Sequence, residues 1–167
     1  MSLEKNKSHY SNLAKLFHWG FVILFIYGVA KQVDDINQLE DTAFFRFEII
    51  FALIFLILLV IRFIYMKLTQ RTSIPAETPK TQKNISKIVH NGMYLLLVVT
   101  VLSGLLIGFL YWHGIKSGLI INLAIMIHEF AIHLLYFFII VHILAAIYHR
   151  LKKDGVWNSM VPFFKEK

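Results

Sequence analysis

The sequence predicts an all-α protein, a four-helix transmembrane bundle with both termini at the cytoplasmic side. Three observations lead there: long apolar stretches, charges confined to the segments between them, and a basic bias that alternates from one connection to the next. Of 167 residues, 57% are hydrophobic and 15% aromatic. The mean hydropathy is positive, so lipid rather than water is the expected solvent.

About twenty apolar residues cross a bilayer core. The chain offers four such runs, roughly 13–33, 43–68, 88–112 and 119–151, forming one domain over residues 1–167. The first run carries His18 and Trp19 early and lacks a small-residue cleavage site behind it, so it reads as a retained helix and not a signal peptide. The fourth is long enough to extend past the bilayer. Between the second and third, Thr69 to Asn84 holds Pro75 and Pro79 among polar residues and reads as a flexible linker.

Lys5, Lys7 and Lys15 precede the first span; Lys67, Arg71, Lys80, Lys83 and Lys87 lie between the second and third; Arg150, Lys152, Lys153, Lys165 and Lys167 follow the fourth. The other two connections carry Lys31 and Lys116, with Asp34, Asp35, Glu40 and Asp41 added to the first. The positive-inside bias therefore places both termini in the cytoplasm. The formal charge of +7 belongs to this flanking pattern and lines no soluble face, which argues against nucleic acid as a partner. Cysteine is absent, removing disulfides, thiolate-held zinc and iron-sulfur clusters, and leaving eight histidines as candidate ligands.

An imidazole in hydrocarbon needs a partner or a function, which singles out His18, His128, His133 and His142. His128 and His142 are fourteen residues apart, so they return to within about 40° of one helix face and lie about 21 Å apart along the axis. One face thus presents two ligands at two depths. Haem iron held by two histidines needs imidazoles from different helices at one depth. His18, near the start of the first span, and His142, in the cytoplasmic half of the fourth, meet that condition and form the expected inner site. His128 lies in the outer half, where the partner would come from the outer end of the second span; Glu48 stands there, and that helix has no histidine.

The chain carries Phe17-His18-Trp19, Arg62 closing the second span, His90 through Tyr94 opening the third, His128-Glu129, and His142 with Ala145-Ala146 and His149. In these residues it resembles the bacterial cytochrome b561 family, itself similar to the cytochrome b subunits of nickel-iron hydrogenases and formate dehydrogenases. The resemblance implies haem b held by His18 and His142 at an inner site, in a multi-pass protein of the bacterial inner membrane. It also implies a second, outer haem whose second-span histidine lies fourteen residues before the terminal arginine. Counting back from Arg62 reaches Glu48, flanked by Arg46-Phe47 and Ile49-Ile50, a departure at a ligand position. A carboxylate is a hard anionic donor that favours ferric iron. One haem b is therefore expected, while the second is left open: absent, held by His128 with Glu48, or held with His133 or His113 as substitute. His133, five residues from His128, is rotated about 140° off the ligand face.

Around these candidates, His90 is placed to meet a haem propionate, a quinone or water, and His149 has the same choices. Arg62 can pair bidentately with a propionate or snorkel at a helix end. His9 reads as solvated. Gly104 and Gly108 form a small-residue face that usually means close helix packing. Gly20 and Gly28 carry no site assignment, and Trp112 and Trp157 suit interfacial anchoring.

The function expected is electron transfer between the quinone pool and a donor or acceptor at the outer face, with superoxide oxidase-like chemistry among what the resemblance implies and a periplasmic redox partner as a possible counterpart. Two other readings remain: an anchor subunit of a larger oxidoreductase, and a non-haem membrane protein binding a metal or protons through His128, His133, His142 and Glu48.

Overall fold

A computed structural model describes residues 10–33, 35–69, 74–75 and 77–166. Lys5, Lys7, His9, Asp34, Arg71 and Lys167 lie outside these described residues. Among the described residues, four helices are long and apolar enough to cross a membrane: α1 (Asn12–Ala30), α2 (Thr42–Thr69), α3 (Lys80–Trp112) and α4 (Leu119–Lys152). A 3-10 turn, Ile36–Glu40, precedes α2, and a short α5, Val156–Met160, follows α4. Among the described residues there is no strand.

The helices run up and down, so the start of α1, the end of α2, the start of α3 and the end of α4 share one end of the bundle. That end, where α1 starts and α4 finishes, is here called the terminal end, and the opposite one the hairpin end. Ser11 joins two helices at the terminal end: its Oγ accepts the Ala14 amide at 3.1 Å and lies 2.9 Å from the Tyr65 hydroxyl of α2. Such an N-cap contributes about 1 kcal/mol. At the hairpin end Asp41 Oδ1 accepts from the Ala43 and Phe44 amides at 2.8 and 3.2 Å, capping α2. Lys116 Nζ meets Glu40 Oε1 at 3.2 Å and lies 4.7 Å from the centre of the Tyr111 ring, joining the two hairpin loops.

Two boundaries, and one additional short helix, differ from the reading of the sequence. α1 stops at Ala30, where the Lys31 amide closes on the Tyr27 and Gly28 carbonyls, leaving Val33 outside the helix. α3 begins at Lys80 and not at residue 88, so the stretch to Asn84 is helix and the linker is shorter. Pro79 holds the N-cap position with extended backbone (φ −53°, ψ 143°), as proline does just before a helix. Hydropathy sees only where the apolar run starts, and the two polar turns before it are helical without being apolar. α5 carried no periodic signal because it is barely one turn long.

α3 and α4 make the most extensive pairing, whereas α1 packs at the backbone level chiefly against α2. Phe21, Phe55 and Leu59 fill the space between α1 and α2, and Leu96, Ala131 and Leu135 that between α3 and α4. Most other large apolar side chains face outward, as a lipid-solvated bundle requires. The two glycines of the small-residue face serve different neighbours. A Cβ on Gly104 would stand 3.1 Å from His128 Cε1 of α4, whereas one on Gly108 would collide with Ile49 of α2.

Candidate functional site

Four helices each send one polar side chain to the same level near the terminal end. On α2, Arg62 follows Phe55 and Leu59 by seven and three residues, which keeps it on the buried face. On α4, His142 follows the fully buried Leu135 by seven. The result is a cluster of His18, Arg62, His90 and His142. The rings of His18 and His142 have centroids 6.3 Å apart at 58°, and those of His90 and His142 are 5.0 Å apart at 85°.

Arginine only donates, so the 3.3 Å contact of Arg62 Nη2 with His18 Nδ1 makes that ring nitrogen the acceptor. The guanidinium lies between the Phe21 and Tyr94 rings, 5.2 and 5.3 Å from their centres. Its Nε is buried with no hydrogen-bond partner among the described residues. His90 Nδ1–H donates to the Ser86 carbonyl at 2.7 Å, leaving its Nε2 as a lone-pair site.

The chain after α4 folds back beside this cluster. Trp19 Nε1 donates to the Met160 carbonyl at 3.3 Å, and the Phe163 ring lies 4.9 Å from the Trp19 ring. His149 pairs with Asp154 at 2.7 Å, and Lys152 approaches the same carboxylate oxygen at 3.8 Å. Neither Asp154 nor the Trp19 contacts were identified from sequence. The only hint was Trp19 beside His18, and the partner lies 141 positions away.

In the half towards the hairpin end, His128 Nδ1 lies 2.9 Å from Ser103 Oγ. Ser103 too was missed; it would have been found only by asking which α3 residue stands beside Gly104 and faces His128. Glu48 shares the helix face of Phe55, Leu59 and Arg62, is half-buried, and makes no hydrogen bond or ion pair among the described residues. Its level is offset. Ile49 packs at Gly108, four residues along α3 from the Gly104 that meets His128, so the Glu48 backbone lies about one helical turn, roughly 5.4 Å, nearer the hairpin end. The structure shows no contact between Glu48 and His128. His133 and His113 are exposed, and each turns Nδ1 to the carbonyl four residues earlier, at 2.7 and 2.9 Å; neither is brought to His128. An open apolar groove of about 670 Å³ between α2 and α3, lined by Phe45, Ile49, Leu102 and Phe109 among others, holds no histidine.

The inner cluster fits a haem. Two imidazoles that shared one iron through metal–nitrogen bonds of about 2 Å would have ring centres roughly 6 Å apart. The 6.3 Å separation of His18 and His142 matches that spacing. His18 and His142 are half-buried. The partnerless Arg62 Nε is a donor awaiting a carboxylate such as a propionate. By contrast, among the described residues no group of three or more His, Asp or Glu side chains is arranged to hold a metal ion directly. A porphyrin supplies four donors itself and asks only two of the protein.

No curated protein and no solved structure matches the chain. A family model does, that of prokaryotic cytochrome b561, over residues 9–163. That match takes in all four spans and every histidine of the cluster, so the chain belongs to the prokaryotic cytochrome b561 family.

Proposed function

We propose that the chain is a b-type cytochrome of the bacterial inner membrane that passes electrons between the quinone pool and a donor or acceptor at the outer face. The observation that carries this reading is the spacing of His18 and His142, supported by the unsatisfied Arg62 Nε beside them. His18 and His142 hold the haem iron at the inner site, and Arg62 holds a propionate. Haem, when bound, supplies the one-electron step.

The tautomer logic requires a rearrangement. A histidine that ligates through Nε2 carries its proton on Nδ1, but Arg62 now donates to His18 Nδ1. With a haem bound, Arg62 would turn from His18 to the propionate, and the single ring proton of His18 would sit on Nδ1 in place of Nε2, leaving Nε2 free as the donor. His90, with Nδ1–H already given to Ser86, keeps a lone pair facing the cluster and serves as an acceptor for a propionate or quinone proton. The basic flanks of the terminal end support a cytoplasmic orientation for it.

The outer site is different. His128 is available there, but Glu48 replaces the second imidazole and lies about a turn, roughly 5.4 Å, out of level. One firmly bound bis-histidine haem per chain follows, with the outer site empty or differently ligated. A single inner haem leaves the outer half without a carrier, a feature that favours the second reading, an anchor subunit whose partner completes the path.

Purified protein decides between a haem and a non-haem reading. Reduced-minus-oxidised spectra are expected to show sharp b-type bands, with a pyridine haemochrome count near one per chain. A colourless, correctly folded preparation that stays colourless after haem is added would end the proposal.

A further inference from the structure

Ser103 occupies a defined hydrogen-bonding position in the third helix. Its Oγ lies 2.7 Å from the Val99 carbonyl, 3.0 Å from the Thr100 carbonyl and 2.9 Å from His128 Nδ1. A hydroxyl has one proton, and the two carbonyls can only accept. The proton therefore goes to the carbonyls, and towards His128 the hydroxyl oxygen is the acceptor. Nδ1 must then be the protonated ring nitrogen. Gly104 completes the cradle: a Cβ there would stand 3.1 Å from His128 Cε1, so its absence lets the ring lie close against α3.

We propose that Ser103 is the positioning residue of His128, holding the imidazole as the Nδ1–H tautomer so that Nε2 is an open metal-donor site in the half of the bundle towards the hairpin end. A buried, half-satisfied imidazole is costly in lipid, and here one nitrogen is satisfied while the other is kept free, as for metal-ligating histidines whose second nitrogen donates to a fixed acceptor. The contrast with His18 is informative. There Arg62 donates to Nδ1 and the ring must change tautomer before Nε2 can bind iron, whereas His128 is preset.

The tautomer itself is independent of whether a haem occupies the outer site; only its use for iron rests on the proposed cytochrome function. The test follows that division. The full-length chain, produced under haem limitation with ¹⁵N-histidine and purified in detergent, is examined by ¹⁵N NMR. The expected result is a single Nδ1–H tautomer at His128, lost to a mixture in Ser103→Ala and restored in Ser103→Thr, which keeps the hydroxyl. An Nε2–H tautomer in the parent chain, no change in Ser103→Ala, or no rescue by threonine overturns the proposal. Haem titration of the same chains adds a second readout. Any second equivalent bound by the parent chain is expected to bind roughly 10- to 100-fold more weakly in Ser103→Ala, the usual effect of losing an outer-shell partner. A parent chain that carries the Nδ1–H tautomer yet binds only one haem supports the positioning role and removes His128 from iron binding.

Discussion

Arg62 donates to His18 Nδ1 at 3.3 Å while its own Nε stays buried and without a partner among the described residues. One guanidinium thus holds a histidine in the tautomer unsuited to Nε2 ligation and keeps a donor in reserve. Replacing Arg62 with leucine keeps the bulk and removes both effects. The bound haem loses a positive neighbour, so its midpoint potential is expected to fall by on the order of 50 mV, the one-electron equivalent of about 1 kcal/mol for a partly solvated charge pair. Potentiometric titration of both proteins measures it, and an unchanged potential would remove Arg62 from the propionate.

His18→Ala and His142→Ala each leave iron with one protein imidazole at a site spaced for two. Haem per chain is expected to drop from about one towards zero in both variants, while size-exclusion in detergent still shows the folded protein. His90→Ala, which loses a ring 5.0 Å from His142 but no assigned ligand, is expected to retain haem. Retention in all three would refute the inner-site assignment.

Reporter fusions test orientation. Fused after Lys167, or inserted within residues 70–79 between α2 and α3, reporters are expected to signal cytoplasm, because the lysines and arginines concentrate at that end. A periplasmic signal from either position would reverse or break the four-span arrangement.

Glu48→His tests the outer site. The residue is on the buried face of α2 and free of partners among the described residues, so an imidazole there meets no competing hydrogen bond. Haem content is expected to rise from about one towards two per chain, since side-chain reach and a small helix shift must make up about one turn of offset. Two bis-histidine haems already present in the parent chain would show that another histidine supplies that ligand.

Gly104→Leu places a branched side chain where even a Cβ lies 3.1 Å from His128. Such overpacking is expected to cost about 1–3 kcal/mol and to displace the imidazole, while the inner haem, on the other side of the bundle's midpoint, stays bound. Thermal unfolding followed at the haem band, together with the haem count, checks both halves; simultaneous loss of the inner haem would mean that the two sites are coupled through α3.

Much of this protein was determined by its sequence alone. Four apolar runs can be satisfied in lipid only as helices, because the bilayer offers no partner to a free backbone amide. The placement of His18 and His142 at one level follows from counting residues along antiparallel helices, and the fourteen-residue interval puts His128 on the same helix face as His142. Periodicity, however, fixes a residue's direction only within its own helix. Which side chain it meets depends on how neighbouring helices are rotated and shifted against each other, and that is settled by packing at places such as Gly104 against His128 and Gly108 against Ile49. For that reason only the tertiary structure could pair Ser103 with His128, turn Arg62 onto His18, bring Asp154 to His149, and set Glu48 about a turn away from the histidine it was expected to face. The polar start of α3 after Pro79, and the fold-back from Gly155 to Phe163 held by the Trp19 contacts, likewise leave no mark in hydropathy.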